Sequence, residues 1–218
     1  MRCYSERSIN DSLMTHIKGN EGVLRGKRVI TIGREFGSGG RTIGRQVAKE
    51  LGIEFYDKDI IRNVVKETGF TQKYVEQYGE YAPSADQFAY SFVGLDDRTS
   101  PIMLLWEAEQ KVIRQFAEEK SCVIVGSAAD YILRDRDDCL RVFLYADEET
   151  KEKRIAELYG AISLKEKNRV HDMDVRRGLN YKYFTGQEWG KAQNYDLALN
   201  RGTLGIDRCV ELIVEAAK

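Results

Sequence analysis

The residues best suited to chemistry form a glycine-rich segment at positions 33–42 with the sequence GREFGSGGRT. Its closely spaced glycines lack the β-carbon that would keep main-chain amides away from an anion. Arg41 and Thr42 add a cation and a hydroxyl near the end of the segment. These residue types predict a loop that binds phosphate. The expected contacts are Gly37, Ser38, Gly39, Gly40, Arg41 and Thr42.

The segment departs from an ordinary Walker A loop in its charge. Such a loop carries a lysine at the position that aligns with Gly40, and residues 33–42 contain no lysine. Arg41 is the expected replacement for the missing cation. The glycines would also suit a tight turn without a ligand, and this alternative stays open.

A dinucleotide-binding site is a sharper alternative. Gly37 and Gly39 provide the first two glycines of its fingerprint, and Asp57 follows Gly37 by twenty residues. Thr42 stands where the fingerprint has its third glycine, and its side chain would crowd the close packing of the helix. The sequence therefore favours phosphate binding over dinucleotide binding.

A strand must precede such a loop and a helix must follow it, so that the amides converge on the ligand. The β-branched run at 28–32 predicts the strand, and apolar residues at helical spacing predict a helix over 42–51. A second strand is expected at 53–56, followed by a helical stripe at 60–65. This βαβα order predicts an α/β fold with a parallel sheet.

The rest of the chain alternates between aperiodic and regular stretches. Residues 69–100 predict an irregular or helical insertion that is rich in aromatic side chains, for which we expect self-association into a homo-oligomer. Further helices are expected at 101–119, 148–159, 165–183 and 206–217, and further strands at 122–125, 142–145 and 195–199.

The composition limits the classes of partner. The chain has 218 residues, with 34 basic and 35 acidic side chains, so no overall field would hold it on nucleic acid or on an anionic membrane. Its apolar runs are far shorter than the ~20 residues of a membrane-spanning helix. Residues 1–26 lack a secretory signal and predict a leader or short docking segment of a cytoplasmic protein. The four cysteines are scattered, which predicts buried thiols.

Several segments in order resemble the cytidylate kinase-like family of P-loop kinases. The matching segments are 30–44, GIEFYDK at 52–58, VIVG at 123–126, ADYIL at 129–133, RVFL at 141–144, and the stretch from Asp174 to Asp196. The resemblance implies a three-layer P-loop kinase fold over residues 27–218, in which helices flank a parallel sheet. It also implies a helical insertion at about 69–100 and a lid at about 160–190.

The resemblance also implies a function, namely ATP-dependent phosphoryl transfer to a nucleoside monophosphate, with CMP or dCMP as the first acceptors to test. ATP and Mg²⁺ would be the cofactors, and the Thr42 hydroxyl would lie near the metal. Arg41 would supply charge from the loop, while Arg176 and Arg177 would do so from the lid. A nucleotide-binding regulator that is weak or inactive in catalysis is the alternative.

Two aspartates are candidate substrate ligands. Asp57 follows the second predicted strand, at the edge of a parallel sheet where ligands bind, and would orient a base or sugar of the acceptor. Asp130 follows a buried strand and would reach the substrate, or the metal through water. Both would also suit helix starts. Ser127 and Ala128 stand where the family pattern has arginine and glycine, so one anion contact is missing.

Overall fold

The computed structural model describes residues 28–80, 100–160 and 164–218. The predicted leader at 1–26 lies outside the described residues, as does most of the predicted insertion. The elements are β1 (Val29–Arg34), α1 (Gly40–Leu51), β2 (Glu54–Tyr56), α2 (Lys58–Thr68), α3 (Gln72–Tyr78), α4 (Pro101–Glu119), β3 (Cys122–Val125), α5 (Ala129–Ile132), β4 (Cys139–Tyr145), α6 (Glu148–Tyr159), α7 (Leu164–Thr185), β5 (Leu197–Asn200) and α8 (Arg201–Ala217).

The five strands form one parallel sheet in the order β2-β3-β1-β4-β5. Val29 of β1 pairs with Cys122 of β3 on one side and with Cys139 of β4 on the other. In the dinucleotide-binding order, β1 would instead lie between β2 and β4. The observed order therefore excludes the dinucleotide alternative, and it places the glycine loop at the centre of the carboxyl edge of the sheet.

Alternating side chains of the strands divide the core into two halves, one on each face of the sheet. Ile30 and Ile32 point to the face that is covered by α1 and α8. Val29 and Ile124 point to the opposite face, which α2 and α4 cover. The result is a three-layer arrangement with helices on both faces, in which each fully buried aliphatic side chain contributes about 1.5–3 kcal/mol.

Two predicted boundaries at the end of the sheet differ from the structure. The last strand begins at Leu197 rather than at residue 195, because Ala192–Asn194 form a 3₁₀ turn and Tyr195 packs its ring 4.9 Å from Phe143. The closing helix begins at Arg201, but Gly205 interrupts it with a φ of +77°. That interruption explains why the helical period in the sequence starts only at residue 206.

The described aromatic residues near the insertion pack in the core. The ring of Trp106 on α4 stacks on Phe184 of α7 at a centroid distance of 4.6 Å, and Tyr74 and Tyr78 pack against the same core half. Most of the predicted self-association surface lies outside the described residues, so that expectation stays a prediction. Within the described part of the chain, every helix is too short or too polar to span a bilayer.

Candidate active site

The glycine loop joins β1 to α1 in a conformation that depends on glycine. Gly37 and Gly39 have φ values of +82° and +88°, in the left-handed region that side chains other than glycine rarely adopt. A β-carbon at Gly37 would also lie 3.0 Å from Ile155 Cδ1 and 3.1 Å from the main-chain oxygen of Lys151. The loop therefore packs directly beneath α6, and the Thr42 and Ile43 amides of α1 donate to the main-chain oxygen of Gly39 at 2.9 and 3.0 Å.

The Ser38 side chain braces the loop internally. Its hydroxyl donates to the main-chain oxygen of Glu35 at 2.8 Å, and its own amide donates to the same oxygen at 3.3 Å. The residue is fully buried. These contacts fix the turn between Glu35 and Ser38, and a ligand contact by Ser38 stays a prediction.

Two arginines from distant helices lie against the end of the loop. Arg154 of α6 donates from Nη2 to the Thr42 hydroxyl at 2.7 Å. A β-carbon at Gly39 would lie 3.4 Å from Arg154 Nε and 3.8 Å from Arg201 Nε. The tertiary fold thus brings cations to a loop that has no lysine of its own, which matches the needs of a polyphosphate.

The Thr42 hydroxyl remains chemically suited to a metal ion. A hydroxyl oxygen has two lone pairs, and the Arg154 contact uses one of them. Over residues 28–80, 100–160 and 164–218, no group of three or more His, Cys, Asp or Glu side chains is arranged to hold a metal. A magnesium ion would therefore need oxygen ligands from the nucleotide phosphates in addition to Thr42.

A cleft of about 290 Å³ opens along the loop, and we call it the loop cleft. Glycine-loop residues form its floor, and the side chains of Arg154, Leu158 and Met173 come from α6 and α7. Arg177 also lines it. The cleft combines main-chain amides, cations and an apolar wall, as a nucleotide site requires.

A second cleft of about 260 Å³, which we call the Asp57 cleft, lies on the other side of the loop end. Asp57 accepts a hydrogen bond from Arg41 Nε at 3.1 Å and caps no helix with its side chain, although it precedes α2. Asp57 thus occupies the N-cap position of α2, but its carboxylate binds Arg41 instead of a first-turn amide. The Arg41 guanidinium pairs with Asp57, and Arg41 also lines the loop cleft, so its role as the replacement for the missing cation stays a prediction.

Behind the loop, a half-buried carboxylate joins three parts of the fold. Glu80 pairs with Arg34 at the end of β1 and with Arg177 of α7, the latter at 3.2 Å. It also accepts from the Ser127 amide at 3.3 Å. Burial alone would raise the pKa of Glu80, but the two guanidinium groups outweigh it and hold that pKa far below its usual range.

The predicted lid arginines occupy different environments. Arg177 is 6% exposed and donates to the main-chain oxygen of Arg34 at 3.3 Å. Asp174, one turn earlier on α7, accepts from the Phe36 amide at 2.7 Å and pairs with Lys151 of α6 at 3.4 Å. Arg176 is half-buried. In this arrangement α7 is fastened to the glycine loop, with Arg177 against the loop cleft.

Asp130 is bonded inside the protein rather than to solvent. Its carboxylate accepts from the Tyr181 hydroxyl at 2.6 Å, and burial raises its pKa to about 6. Both residues line a small cavity of about 30 Å³ beside Arg34, which has room for about one water molecule. Nearby, Glu109 is buried, and burial together with the Glu80 charge raises its pKa well above the usual range.

Sequence reasoning did not identify Arg34, Glu80 or Arg154 as site residues. Arg154 lies on α6, a highly charged helix, and a charged residue in such a helix is expected to face solvent. Glu80 lies in the aperiodic insertion, where no motif surrounds it. Arg34 offered the one available signal, because it is a long charged residue at the end of a strand that is buried along its whole length.

Comparison with solved structures identifies the fold. An uncharacterized protein from Eubacterium ventriosum ATCC 27560 superposes with a TM-score of 0.65 at 26% identity, over 87% of this chain and 97% of that one. Shikimate kinase from Acinetobacter baumannii, in complex with shikimate, gives 0.51 at 17% identity over 89% and 94%. Shikimate kinase from Bacteroides thetaiotaomicron gives 0.52 at 15% over 86% and 96%. The fold is that of the P-loop kinases, as the sequence predicted.

The family is defined by the sequence itself. The model of the cytidylate kinase-like family matches residues 29–203, which is most of the chain. This protein therefore belongs to the cytidylate kinase-like family, and the predicted resemblance is confirmed. No curated protein matches the sequence significantly.

Proposed function

We propose that this protein transfers the γ-phosphoryl group of ATP to a nucleoside monophosphate, with CMP or dCMP as the preferred acceptor. The observation that carries the proposal is the pair of clefts that meet at the glycine loop, because phosphoryl transfer needs a donor and an acceptor in line. Arg34 and Arg41 line both clefts. The loop cleft would hold ATP, and the Asp57 cleft would hold the acceptor.

On the donor side, the amides of the loop and the start of α1 would bind the phosphates of ATP. Magnesium would be held by the Thr42 hydroxyl and the phosphate oxygens, and it would neutralise charge on the transferring group. Arg177 lines the loop cleft, and Arg176 precedes it on α7, so both remain candidates for contact with the phosphates. Gly37, Gly39 and the neighbouring loop residues would approach them through the main chain.

On the acceptor side, the Asp57 cleft contains groups that suit a nucleoside monophosphate. Arg41 and Lys58 provide cations for its phosphate, while Asp57 provides an acceptor for the amino group of cytosine. In the reaction, an oxygen of the acceptor phosphate forms a bond to the γ-phosphorus as the bond from that phosphorus to the bridging oxygen breaks. ADP leaves with the electron pair, and the products are ADP and a nucleoside diphosphate.

The test is a coupled assay of ADP release with Mg·ATP and a panel of nucleoside monophosphates. We expect turnover with CMP or dCMP above the other acceptors, and a loss of about 10²–10³-fold in kcat in Thr42→Ala if that hydroxyl serves the metal. Exposed Thr203→Ala on α8 is the matched control. Absence of turnover with every monophosphate would overturn the proposed activity.

A nucleotide-binding regulator is the second candidate, favoured by two observations. Position 40 lacks the usual lysine, and Ser127 and Ala128 replace the arginine and glycine of the family pattern. This candidate predicts ATP binding by calorimetry together with a silent assay. Turnover with any acceptor would exclude it.

A further inference from the structure

The glycine loop departs from the ordinary P-loop at both of its ends. In the pattern G-x-x-x-x-G-K, a lysine position at 40 places the second glycine at Gly39 and the first glycine at position 34. Here position 34 is arginine and position 40 is glycine. A cation thus stands where the pattern has glycine, and glycine stands where the pattern has a cation.

The structure places these two exchanged positions in direct contact. A β-carbon on Gly40 would lie 2.7 Å from Arg34 Cγ and 2.8 Å from Arg34 Cβ. Such distances are too short for non-bonded carbon atoms. The stem of Arg34 therefore fills the space where a lysine side chain at position 40 would begin, so the two cations exclude one another and only one of them fits.

Arg34 lies where the cavities of the site meet, with its stem beside Gly40 and its guanidinium beside Gly126. Arg34 lines the loop cleft, the Asp57 cleft and the small cavity beside Asp130. Its side chain is 7% exposed, and Glu80 holds its guanidinium from one side. Glu80 is shared with Arg177, so neither guanidinium has the carboxylate to itself.

Arg41 is less well placed for the same task. Its side chain is 52% exposed, and its guanidinium is bound to Asp57 at 2.9 Å on the acceptor side. An exposed ion pair is weakly fixed in position. Arg34 is buried, oriented by a carboxylate and anchored on the central strand, which is the kind of preorganised donor that stabilises charge in a transition state.

We propose that Arg34 replaces the P-loop lysine, so that the cation on the transferring phosphoryl group comes from the end of β1 instead of the start of α1. The inference rests on the proposed function, since it names the residue that neutralises the phosphates of ATP in that reaction. The bonds that form and break are those given above, and Arg34 is unchanged at the end of the step.

The test is a double-mutant cycle of Arg34→Gly, Gly40→Lys and the combined variant, with Mg·ATP affinity measured by calorimetry and kcat by ADP release. We expect Arg34→Gly to weaken affinity by about tenfold and to lower kcat by about 10²–10³-fold. Gly40→Lys alone places its side chain against Arg34 and loses affinity as well. The combined variant restores the ordinary pattern and regains affinity to within about threefold of the wild type.

Two further variants keep the cycle interpretable. Arg34→Met keeps most of the side-chain volume and leaves Glu80 paired with Arg177, so it replaces Arg34→Gly if that variant fails to fold in a thermal unfolding scan. Arg45→Met is the matched control, because Arg45 lies on α1 with its guanidinium over the Phe55 ring at 5.3 Å. It should bind ATP as the wild type does.

The outcomes separate this inference from the proposed function. Wild-type affinity and turnover in a folded variant that lacks Arg34 would overturn the role of Arg34 and leave the kinase activity standing. The same follows if the combined variant folds but does not regain ATP affinity, or if Arg41→Met alone reproduces the loss. A wild-type protein that binds no ATP would overturn both proposals.

Discussion

At the scale of single residues, the site depends on positions where a side chain must be absent. Gly37 has a positive φ and little space for a β-carbon, while Gly40 has no space because Arg34 occupies it. Ala128 shows the opposite situation, since a residue with a β-carbon is held at a φ of +50°. Each of these positions has a measurable energetic consequence.

Gly37→Ala should destabilise the protein and weaken ATP binding. Placing alanine in the left-handed region costs about 1–2 kcal/mol, and the contacts with Ile155 and Lys151 add to that cost. Gly52→Ala is the matched control, because Gly52 has a φ of +66° but nothing within 4 Å of a β-carbon. Chemical denaturation and calorimetry give the two effects. Equal losses of stability in the two variants, with unchanged ATP affinity, would contradict the prediction.

Ala128→Gly should stabilise the protein. Relief of the left-handed strain exceeds the entropy that glycine adds to the unfolded chain, for a net gain of about 0.5–1 kcal/mol in the free energy of unfolding. Ala108→Gly near the middle of α4 is the control and should cost about 1 kcal/mol or more. Urea denaturation of the three proteins checks both signs, and a loss of stability in Ala128→Gly would refute the strain argument.

At the scale of elements, polar contacts fasten α7 to the rest of the fold. Asp174 holds the Phe36 amide, and Arg177 reaches Glu80 and the end of β1. Tyr181, one turn further along, donates to Asp130 at the start of α5. These contacts join α7 to the glycine loop, to Glu80, to the end of β1 and to α5, and the last of them makes the stability of the protein depend on pH.

Asp130→Asn should remove the loss of stability that the wild-type protein shows as pH rises. The pKa of Asp130 is raised to about 6 in the folded state from 3.8, so the folded protein binds the proton more tightly than the unfolded chain. The free energy of unfolding of the wild type therefore falls as pH rises from about 4 to 6, by about 3 kcal/mol relative to the variant. Denaturation at pH 4 and pH 7.5 measures this difference.

The same substitution at Asp135, whose side chain is 73% exposed, is the matched control. The prediction is wrong if the free energy of unfolding of the wild type differs from that of Asp130→Asn by the same amount at pH 4 and at pH 7.5. That result would show that burial against Tyr181 does not raise the pKa of Asp130.

At the scale of the whole molecule, the two clefts exist because β1 lies between β3 and β4. The loop that follows β1 is therefore flanked by the segments that follow its neighbours, including Ser127 after β3 and Ala146 after β4. Glu35 of the loop accepts from the Ala146 amide at 3.2 Å. A ligand bound at this edge would contact several elements at once and would stabilise the whole fold.

ATP should raise the free energy of unfolding, and NAD should not. Ligand at 100 times its Kd adds about 2.7 kcal/mol to the folded state by mass action. A thermal shift assay with Mg·ATP, Mg·ADP and NAD at equal concentrations measures the effect. Stabilisation by NAD but not by Mg·ATP would contradict the exclusion of the dinucleotide alternative, which rests on the strand order. It would also contradict the assignment of the loop cleft to ATP.

Much of the fold could be predicted from the sequence because its signals are local. Helical and strand periods placed α1, α4 and β3 within two residues of their observed ends. The glycine spacing marked the loop because positive φ values and missing β-carbons are properties of single residues. The family followed from several short segments in a fixed order.

The sequence alone determined that a glycine-rich loop joins a strand to a helix in a parallel α/β fold. Only the tertiary structure decided which charges surround that loop, because Arg154 approaches from a helix 112 positions away, and Glu80 joins Arg34 to Arg177 across 46 and 97 positions. Coulomb pairing and steric exclusion act through space, so no local period or spacing in the chain could have shown that Arg34 takes up the space above Gly40.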